Sequence, residues 1–200
     1  ELDKVNIGFP QGWHGITSYL ASGGTYSTYF RDCAMQDDGM FFMTGPGSNP
    51  VFSSCSSSNL VDNAKPSRPR DCTDGMSYTF LFGERYHFDP NFDRIHFDNG
   101  TSSEFPISHY GAWGWIGGGN GTAHVFGSTQ EVLNYRTPEN APDNYDNVDL
   151  RVSSFGSGHT SGANFCMADG SARFIANEID FVTYQAISTK QFGEVVAIDF

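Results

Sequence analysis

The residues best suited to chemistry lie near the C-terminus, in the segment HTSGANFCMADGSARFI at positions 159–175. An imidazole and a carboxylate held side by side can bind a metal ion or transfer a proton, and His159 and Asp169 offer such a pair. The residues between them are typical of a β-strand, which rises about 3.3 Å per residue and would hold the two side chains roughly 30 Å apart. We therefore predict that this pair is part of the architecture and does not form a shared site.

The same segment has the sequence of a β-hairpin. Asp169 and Gly170 form an Asp-Gly pair, which is typical of tight turns because it tolerates positive φ. We predict strands over residues 162–168 and 171–176 on either side of this turn. His159 would then lie at the mouth of the hairpin.

At that position His159 is predicted to be a polar latch, bonded to a backbone carbonyl or to an acid such as Glu84 or Glu194. No enzyme motif appears elsewhere, since the sequence has no H-E-x-x-H, no G-x-S-x-G and no Walker A pattern. We therefore predict that the protein is not an enzyme. A third and weaker hypothesis is a metal-dependent hydrolase that uses histidines of the middle region. Besides His159, the histidines of the chain are His14, His87, His96, His109 and His124.

The composition indicates a single, loop-rich β domain over residues 1–200. Hydrophobic residues make up 38% of the chain and aromatic residues 15%, so aromatic side chains must supply much of the core. The formal net charge of −12 argues against nucleic acid as a partner, because such a surface repels phosphate groups. Three basic residues fall in one proline-broken segment, which we interpret as solvated surface and not as a docking patch: Lys65, Arg68 and Arg70.

The cysteines lack the C-x-x-C spacing of a zinc or redox site. The four are Cys33, Cys55, Cys72 and Cys166. Their even number, together with N-x-[ST] sequons at Asn99 and Asn120, favours disulfides in an oxidising compartment, and hence an extracellular or cell-surface protein. Three pairings are open, of which the most local joins the second cysteine to the third and leaves the first with the fourth.

Strands are predicted where residues that favour β-structure are bounded by turn residues. The segment 15–26 has the pattern of a short strand before a glycine turn, and Met40–Met43 that of a short apolar strand. The run Tyr78–Phe82 follows the Asp-Gly pair of Asp74 and Gly75 and is predicted to be a buried central strand that ends at a glycine.

The C-terminal third is predicted to be more regular than the middle. Residues 86–150 are predicted to be a long irregular insertion, and 192–200 a final strand. A short helix is expected within 178–190, with Asp180 as its N-cap. The predicted apolar face of this helix consists of Phe181, Tyr184 and Ile187.

Two of these segments resemble a known family. FGSGHTSGANFCMADGSARFI resembles the H-X9-DG signature of prepilin-type proteins that are abundant in Planctomycetes and related bacteria. TDGMSYTFLFGER is similar to the D-G-x-S-N-T-x-x-x-G-E element of the same family, with Tyr78 where asparagine is usual. Shorter similarities extend from about Thr17 to Val196. The family positions in the two long segments are Asp74, Gly75, Gly83, Glu84, His159, Asp169 and Gly170.

This resemblance implies a pilin-like α+β domain, rich in β-structure, like that of the pseudopilin G of type II secretion or of a type IV pilin. We expect a multistranded antiparallel sheet with one short C-terminal helix and structural roles for the family positions. Such proteins assemble through a hydrophobic N-terminal helix, which these 200 residues do not include. Membrane contact is expected only through a segment of that kind.

The resemblance also makes acidic segments candidate calcium sites, because major pseudopilins often bind calcium. Asp143, Asp146 and Asp149 offer oxygen ligands on one segment predicted to be flexible, although without the residue order of an EF-hand. The alternative is that these are solvated loops. No other cofactor is expected. A second, looser acidic group consists of Asp89, Asp93 and Asp98.

We expect an extracellular structural subunit that self-associates into a homopolymer, namely a filament, a pseudopilus or a tube. The aromatic and glycine-rich loops of residues 86–150 would form the contacts between subunits. The alternative is a secreted or surface binding module that holds a glycan or small solute by stacking it on aromatic residues such as Trp113 and Trp115.

Overall fold

The computed structural model describes residues 2–5, 12–26, 36–42, 65–98, 106–111, 125–191 and 193, with the backbone alone at 2–5, 12–15 and 145. Its strands are β1 (Leu2–Val5), β2 (Gly12–Gly15), β3 (Tyr19–Ser22), β4 (Phe80–Glu84), β5 (Phe126–Gly127), β6 (Gly162–Met167) and β7 (Ala172–Ala176). Its α-helices are α1 (Pro90–Phe92), which continues as a π-helical turn over Asp93–Phe97, α2 (Tyr145–Ser153) and α3 (Phe181–Ala186).

The centre of the molecule is a five-stranded sheet with the strand order β5-β3-β4-β6-β7. Neighbouring strands are antiparallel, except that β3 and β5 run parallel. β1 and β2 pair separately as an antiparallel ribbon. The predicted α+β fold, rich in β-structure, is confirmed.

β4 is the central strand of this sheet, as predicted, but it lies two residues later in the chain. Gly75 has a φ of +100° and leads into a 3-10 turn over Met76–Tyr78, so the strand begins at Phe80 and runs through Gly83 and Glu84. A register shift between Phe80 and Phe82 then turns these two rings to opposite faces of the sheet.

The predicted hairpin of β6 and β7 is present, with strands one residue shorter than predicted. Its loop spans three residues, since Gly170 N–H donates to the Met167 carbonyl and Met167 N–H to the Ser171 carbonyl. Gly170 alone supplies the positive φ, at +86°. Asp169 instead accepts hydrogen bonds from the N–H and hydroxyl of Ser171 and thereby holds the turn.

α3 is shorter than the predicted helix. Asp180 is its N-cap, as predicted, and accepts a hydrogen bond of 2.9 Å from Thr183 N–H. Tyr184 and Ile187 are buried, but Phe181 is exposed, so its assignment to the apolar face was wrong. Phe181 lies in the first turn of α3, outside the core, whereas Tyr184 and Ile187 lie further along the chain and pack into it.

The middle region contains structure that the sequence analysis missed. Asn144 caps α2 by accepting a hydrogen bond from Asn147 N–H at 3.0 Å, so part of the predicted irregular insertion is helical. Val148 and Val152, one turn apart, bury its apolar side. In contrast, Met40 to Phe42 form no strand, which corrects the prediction for that segment.

The core has two parts. The larger fills the space between α3 and one face of the sheet, and consists of Leu20, Phe80, Leu133, Phe155, Ala163, Phe165, Met167, Ile175, Tyr184 and Ile187. The smaller lies around α1 and α2 and consists of Phe92, Ile107, Tyr110, Val148 and Val152. Of the helices within the described residues, none has the length and apolarity that crossing a membrane requires.

Replacing Tyr184 by phenylalanine is expected to raise the free energy of unfolding by about 1 kcal/mol. The Tyr184 ring packs against Phe80 and Phe165, while its buried hydroxyl has no hydrogen-bond partner among the described residues. The substitution keeps the ring and removes the desolvated hydroxyl. Urea denaturation measures the change, and a loss of stability would show that the hydroxyl makes a favourable bond.

Candidate functional site

The two long segments singled out in the sequence lie side by side as β4 and β6. At one end of this pair, the hairpin loop bonds to the turn that precedes β4. Asp169 N–H donates to the Met76 carbonyl at 3.0 Å, and Ala168 N–H donates to the Thr79 carbonyl at 2.7 Å. These backbone bonds fix the register of the central ladder.

The opposite end of the pair holds a cluster of three polar side chains. Glu84 accepts hydrogen bonds from the backbone N–H of Asn164 at 2.7 Å and from the Asn164 amide at 3.2 Å. His159 Nε2 lies 3.7 Å from the Glu84 carboxylate and 3.4 Å from the Asn164 amide. The contact to Glu84 is one of those expected of His159, whereas Glu194 lies outside the described residues. His159 and Asp169 therefore act at opposite ends of the hairpin and share no site.

The glycines of the 74–84 segment have two different functions. Gly75 needs its positive φ, and its neighbour Asp74 accepts a hydrogen bond from Gly193 N–H at 2.8 Å. Gly83 instead leaves space for rings: a Cβ placed there would lie less than 3.0 Å from ring atoms of both Phe155 and Phe165. The segment thus positions the strand, and it contributes one side chain, Glu84, to the polar cluster.

This cluster is the centre of a row of side chains across the face of the sheet that points away from α3. Tyr19 pairs with Glu84 across β3 and β4, and Asn164 pairs with Phe174 across β6 and β7. Since strands lie about 4.8 Å apart, the two rings flank the polar centre at a separation of roughly 14 Å. We call this arrangement the aromatic row: Tyr19, Glu84, Asn164 and Phe174.

A second row runs parallel to the aromatic row and is apolar. Ala21 pairs with Phe82, Phe82 with Cys166, and Cys166 with Ala172. From a loop, Phe41 contacts Phe82 with a ring separation of 5.2 Å. The exposed fraction of the residue on this face is 55% at Tyr19, 47% at Phe174 and 38% at Phe82. Together the two rows form an open sheet face that carries three exposed aromatic rings.

A buried ion pair lies beyond the end of β4. Asp89 Oδ2 is 2.7 Å from Arg151 Nε, and both side chains are almost fully buried. Arg151 also donates to the Tyr86 carbonyl at 2.8 Å. Burial alone would raise the pKa of Asp89, but the N–H groups of Thr137 and Phe92 and the Arg151 guanidinium outweigh it and hold the pKa below its ordinary value. The pair joins α2 to the end of the central strand.

The acidic residues predicted as calcium ligands occupy separate positions in the structure. Asp146 and Asp149 lie on α2 and not on a flexible loop, and Asp143 pairs with the buried His96 at 3.0 Å. In the described part of the chain, no three His, Cys, Asp or Glu side chains are arranged to hold a metal ion. Calcium binding therefore stays a prediction, for which the described residues supply no ready set of ligands.

The second acidic group is also divided among separate structural positions. Asp89 belongs to the ion pair, and Asp98 is exposed after the π-helical turn. Asp93 accepts a hydrogen bond from Ile107 N–H at 2.8 Å, and burial raises its pKa. The histidines proposed for a hydrolase are similarly dispersed, because His87 bonds to the Thr17 carbonyl while His96 bonds to Asp143.

Several predicted residues lie outside the described residues. This group comprises Cys33, Cys55, Asn99, Asn120, Trp113, Trp115 and most of the predicted final strand. Cys72 and Cys166 are free thiols, and no disulfide joins them. Neither link of the most local pairing, Cys55 with Cys72 and Cys33 with Cys166, is therefore formed, while the glycosylation sites stay predictions.

The aromatic row escaped the sequence analysis, although its signal is present in the chain. Tyr19 and Ala21, Phe82 and Glu84, and Asn164 and Cys166 each lie two positions apart, the period of one strand face. Which of the two faces is buried depends on where α3 and the loops pack, and that follows from tertiary contacts.

Comparison with known proteins gives a match to one family model. Residues 6–182 match the model described as "Protein of unknown function (DUF1559)". No curated protein and no solved structure is significantly similar to the chain.

Proposed function

The chain belongs to the DUF1559 family of proteins of unknown function, and from this premise we propose that it is an extracellular structural subunit that buries its open sheet face by self-association. The observation that carries the proposal is the exposure of Tyr19, Phe82 and Phe174 on that one face. Aromatic side chains are enriched at the centres of protein interfaces, and contiguous exposed apolar surface marks interaction sites.

The energy available at this face is sufficient for assembly. Each of the three rings exposes on the order of 100 Å² of surface, and its burial is worth roughly 2–3 kcal/mol. The face is also rigid, because β4 is bonded on both sides and the Glu84 cluster ties it to β6. A rigid face loses little conformational entropy on binding, which favours repeated identical contacts.

The form of the assembly is proposed from the sequence. The similarity of segments 74–84 and 159–170 to prepilin-type proteins supports a pilin-like or pseudopilin-like filament or tube. The two N-x-[ST] sequons, at Asn99 and Asn120, support an extracellular or cell-surface location. The role of the 159–170 segment in this proposal is structural, since it builds the hairpin that carries Asn164 and Phe174.

Self-association is tested by replacing two rings with serine, as Tyr19→Ser with Phe174→Ser. Sedimentation velocity over a concentration series should show oligomers of the wild type, and electron microscopy ordered polymers. The double variant should need at least about tenfold higher protein concentration to associate, because it loses several kcal/mol of burial.

Val182→Ser is the matched control, because Val182 is 71% exposed but lies on α3, away from the open face. It should associate like the wild type. A wild-type protein from its native source that stays monomeric at high concentration would end the proposal.

A second candidate function rests on the aromatic row itself. Tyr19 and Phe174 flank a carboxylate, an amide and an imidazole, and rings on either side of hydrogen-bonding groups suit the stacking of a sugar. If the protein is a glycan-binding module, a glycan screen followed by thermal-shift titration should give hits. These hits should disappear in the Tyr19→Ser, Phe174→Ser variant, while the wild type shows no polymers.

A further inference from the structure

In the part of this acidic protein that the structure describes, the exposed positive charge is concentrated in one short segment. Among the Lys and Arg side chains that the structure describes, four are exposed, and three of these lie within residues 65–70. The fourth is Arg94. We call the three the basic strip: Lys65, Arg68 and Arg70.

The basic strip is held in place and is not a loose solvated loop. Pro66 and Pro69 fix two of its backbone φ angles. Arg68 N–H donates to Asp71 Oδ2 at 2.8 Å, closing the 3-10 turn that follows. The buried Lys190 donates to Ser67 Oγ at 3.1 Å. These bonds leave the three cationic side chains exposed, and Arg70 also lies 3.8 Å from Asp71 in an exposed ion pair.

The strip precedes the central strand, and exposed acids lie beyond the opposite end of that strand. The strip leads through the turn at Met76–Tyr78 into the start of β4, next to the hairpin loop. Past the end of β4 the chain forms α1 and its π-helical turn, against which the start of α2 is held by the bond between His96 and Asp143. The exposed acids there are Asp98, Glu139 and Asp146, which we call the acidic end; the exposed Arg94 lies beside them and donates to the Glu139 carbonyl at 2.8 Å.

We propose that the basic strip of one subunit docks against the acidic end of a second copy, which gives the assembly its direction. This inference rests on the proposed function, and it identifies the contact that sets the orientation of each subunit relative to the next. The partner follows from charge complementarity: the strip is a cationic patch on a chain of net charge −12, so the anionic surface that fits it is present on every other copy.

The consequence of this placement is an open polymer. A contact between two different patches of the same chain is heterologous, and it continues indefinitely unless its rotation closes a ring. Complementary charges contribute mainly to orientation and to the rejection of wrong contacts, while the aromatic face supplies the bulk of the energy. Like-charged regions of these acidic subunits would otherwise repel each other.

Charge reversal tests the contact. Arg68→Glu with Arg70→Glu should raise the concentration needed for association by about tenfold, and Glu139→Lys with Asp146→Lys should do the same. Mixed in equal amounts, the two variants should associate with each other, because the reversed strip of one then fits the reversed end of the other. Far-UV circular dichroism checks that both remain folded.

Single variants control for net charge. Glu139→Lys and Glu178→Lys change the net charge equally, and both residues are exposed, but only the first lies in the acidic end, so only the first should weaken association. Equal weakening by both, or the absence of recovery in the mixture, overturns the inference while leaving self-association intact. If the wild type itself does not associate, the proposed function fails, and this inference fails with it.

Discussion

Replacing Asp89 by asparagine is expected to lower the free energy of unfolding by about 3–5 kcal/mol. The carboxylate lies 2.7 Å from Arg151 Nε in a site where both side chains are almost fully buried. The neutral amide leaves the guanidinium charged and without its counterion in a region of low dielectric constant. Equilibrium urea denaturation at pH 7 measures the loss.

The expected loss is large because Asp89 is bonded on every side. Its carboxylate also accepts hydrogen bonds from the N–H groups of Phe92, at 3.1 Å, and Thr137, at 2.9 Å. The asparagine amide can make only part of these hydrogen bonds, because its oxygen accepts but its nitrogen is a donor and would face another N–H donor. The ends of three segments would lose a common attachment: the exit of β4, the residues around 137, and α2.

The loss should depend on pH in a defined direction. The pKa of Asp89 is lowered in the folded protein, so its contribution is complete above the unfolded value of about 3.9 and declines as the pH falls through the folded value. The difference between wild type and Asp89→Asn should therefore be largest at neutral pH and should shrink in the acid range below about pH 4.

Asp98→Asn is the control, since Asp98 is an exposed aspartate nine positions later in the chain. It should change the free energy of unfolding by no more than about 0.5 kcal/mol. A loss for Asp89→Asn that is equally small, or that is constant from neutral to acid pH, would contradict the role given to the ion pair.

The features that could be predicted from sequence are those fixed by local chemistry. The hairpin follows from Gly170, and the N-cap of α3 follows from Asp180, because each needs only its near neighbours. The central position of β4 follows from the density of its aromatic and apolar residues. In the same way, the strand spacing sufficed to separate His159 from Asp169.

The features that escaped prediction depend on contacts between distant segments. Among the described side chains of α2, two apolar ones are buried, Val148 and Val152. Its ion-pair partner, Asp89, is 62 positions from Arg151. The aromatic row draws one residue from each of four strands, so no window of sequence contains it. The positions of the basic strip were visible in the sequence, whereas the hydrogen bonds that hold its backbone, from Arg68 N–H to Asp71 and from Lys190 to Ser67, were not.

Gly83 gives the second large effect, because it is the point where the central strand meets two core rings. Gly83→Ala is expected to lower the free energy of unfolding by about 3 kcal/mol, near the upper end of the range for overpacking. The added Cβ would lie less than 3.0 Å from ring atoms of both Phe155 and Phe165. Those rings are themselves packed edge to face at 5.2 Å, so neither can move freely.

A second substitution distinguishes this crowding from a backbone effect. Phe155→Leu removes ring atoms next to Gly83, so the cost of Gly83→Ala should be smaller in the Phe155→Leu background than in the wild type. Gly170→Ala is the comparison: it lies at a φ of +86° with no neighbour within 4 Å of the added Cβ, and should cost about 1–2 kcal/mol in either background. Denaturation of the single and double variants gives both coupling energies. Additivity of Gly83→Ala with Phe155→Leu would show that the glycine is needed for its backbone and not for the space it leaves to the two rings.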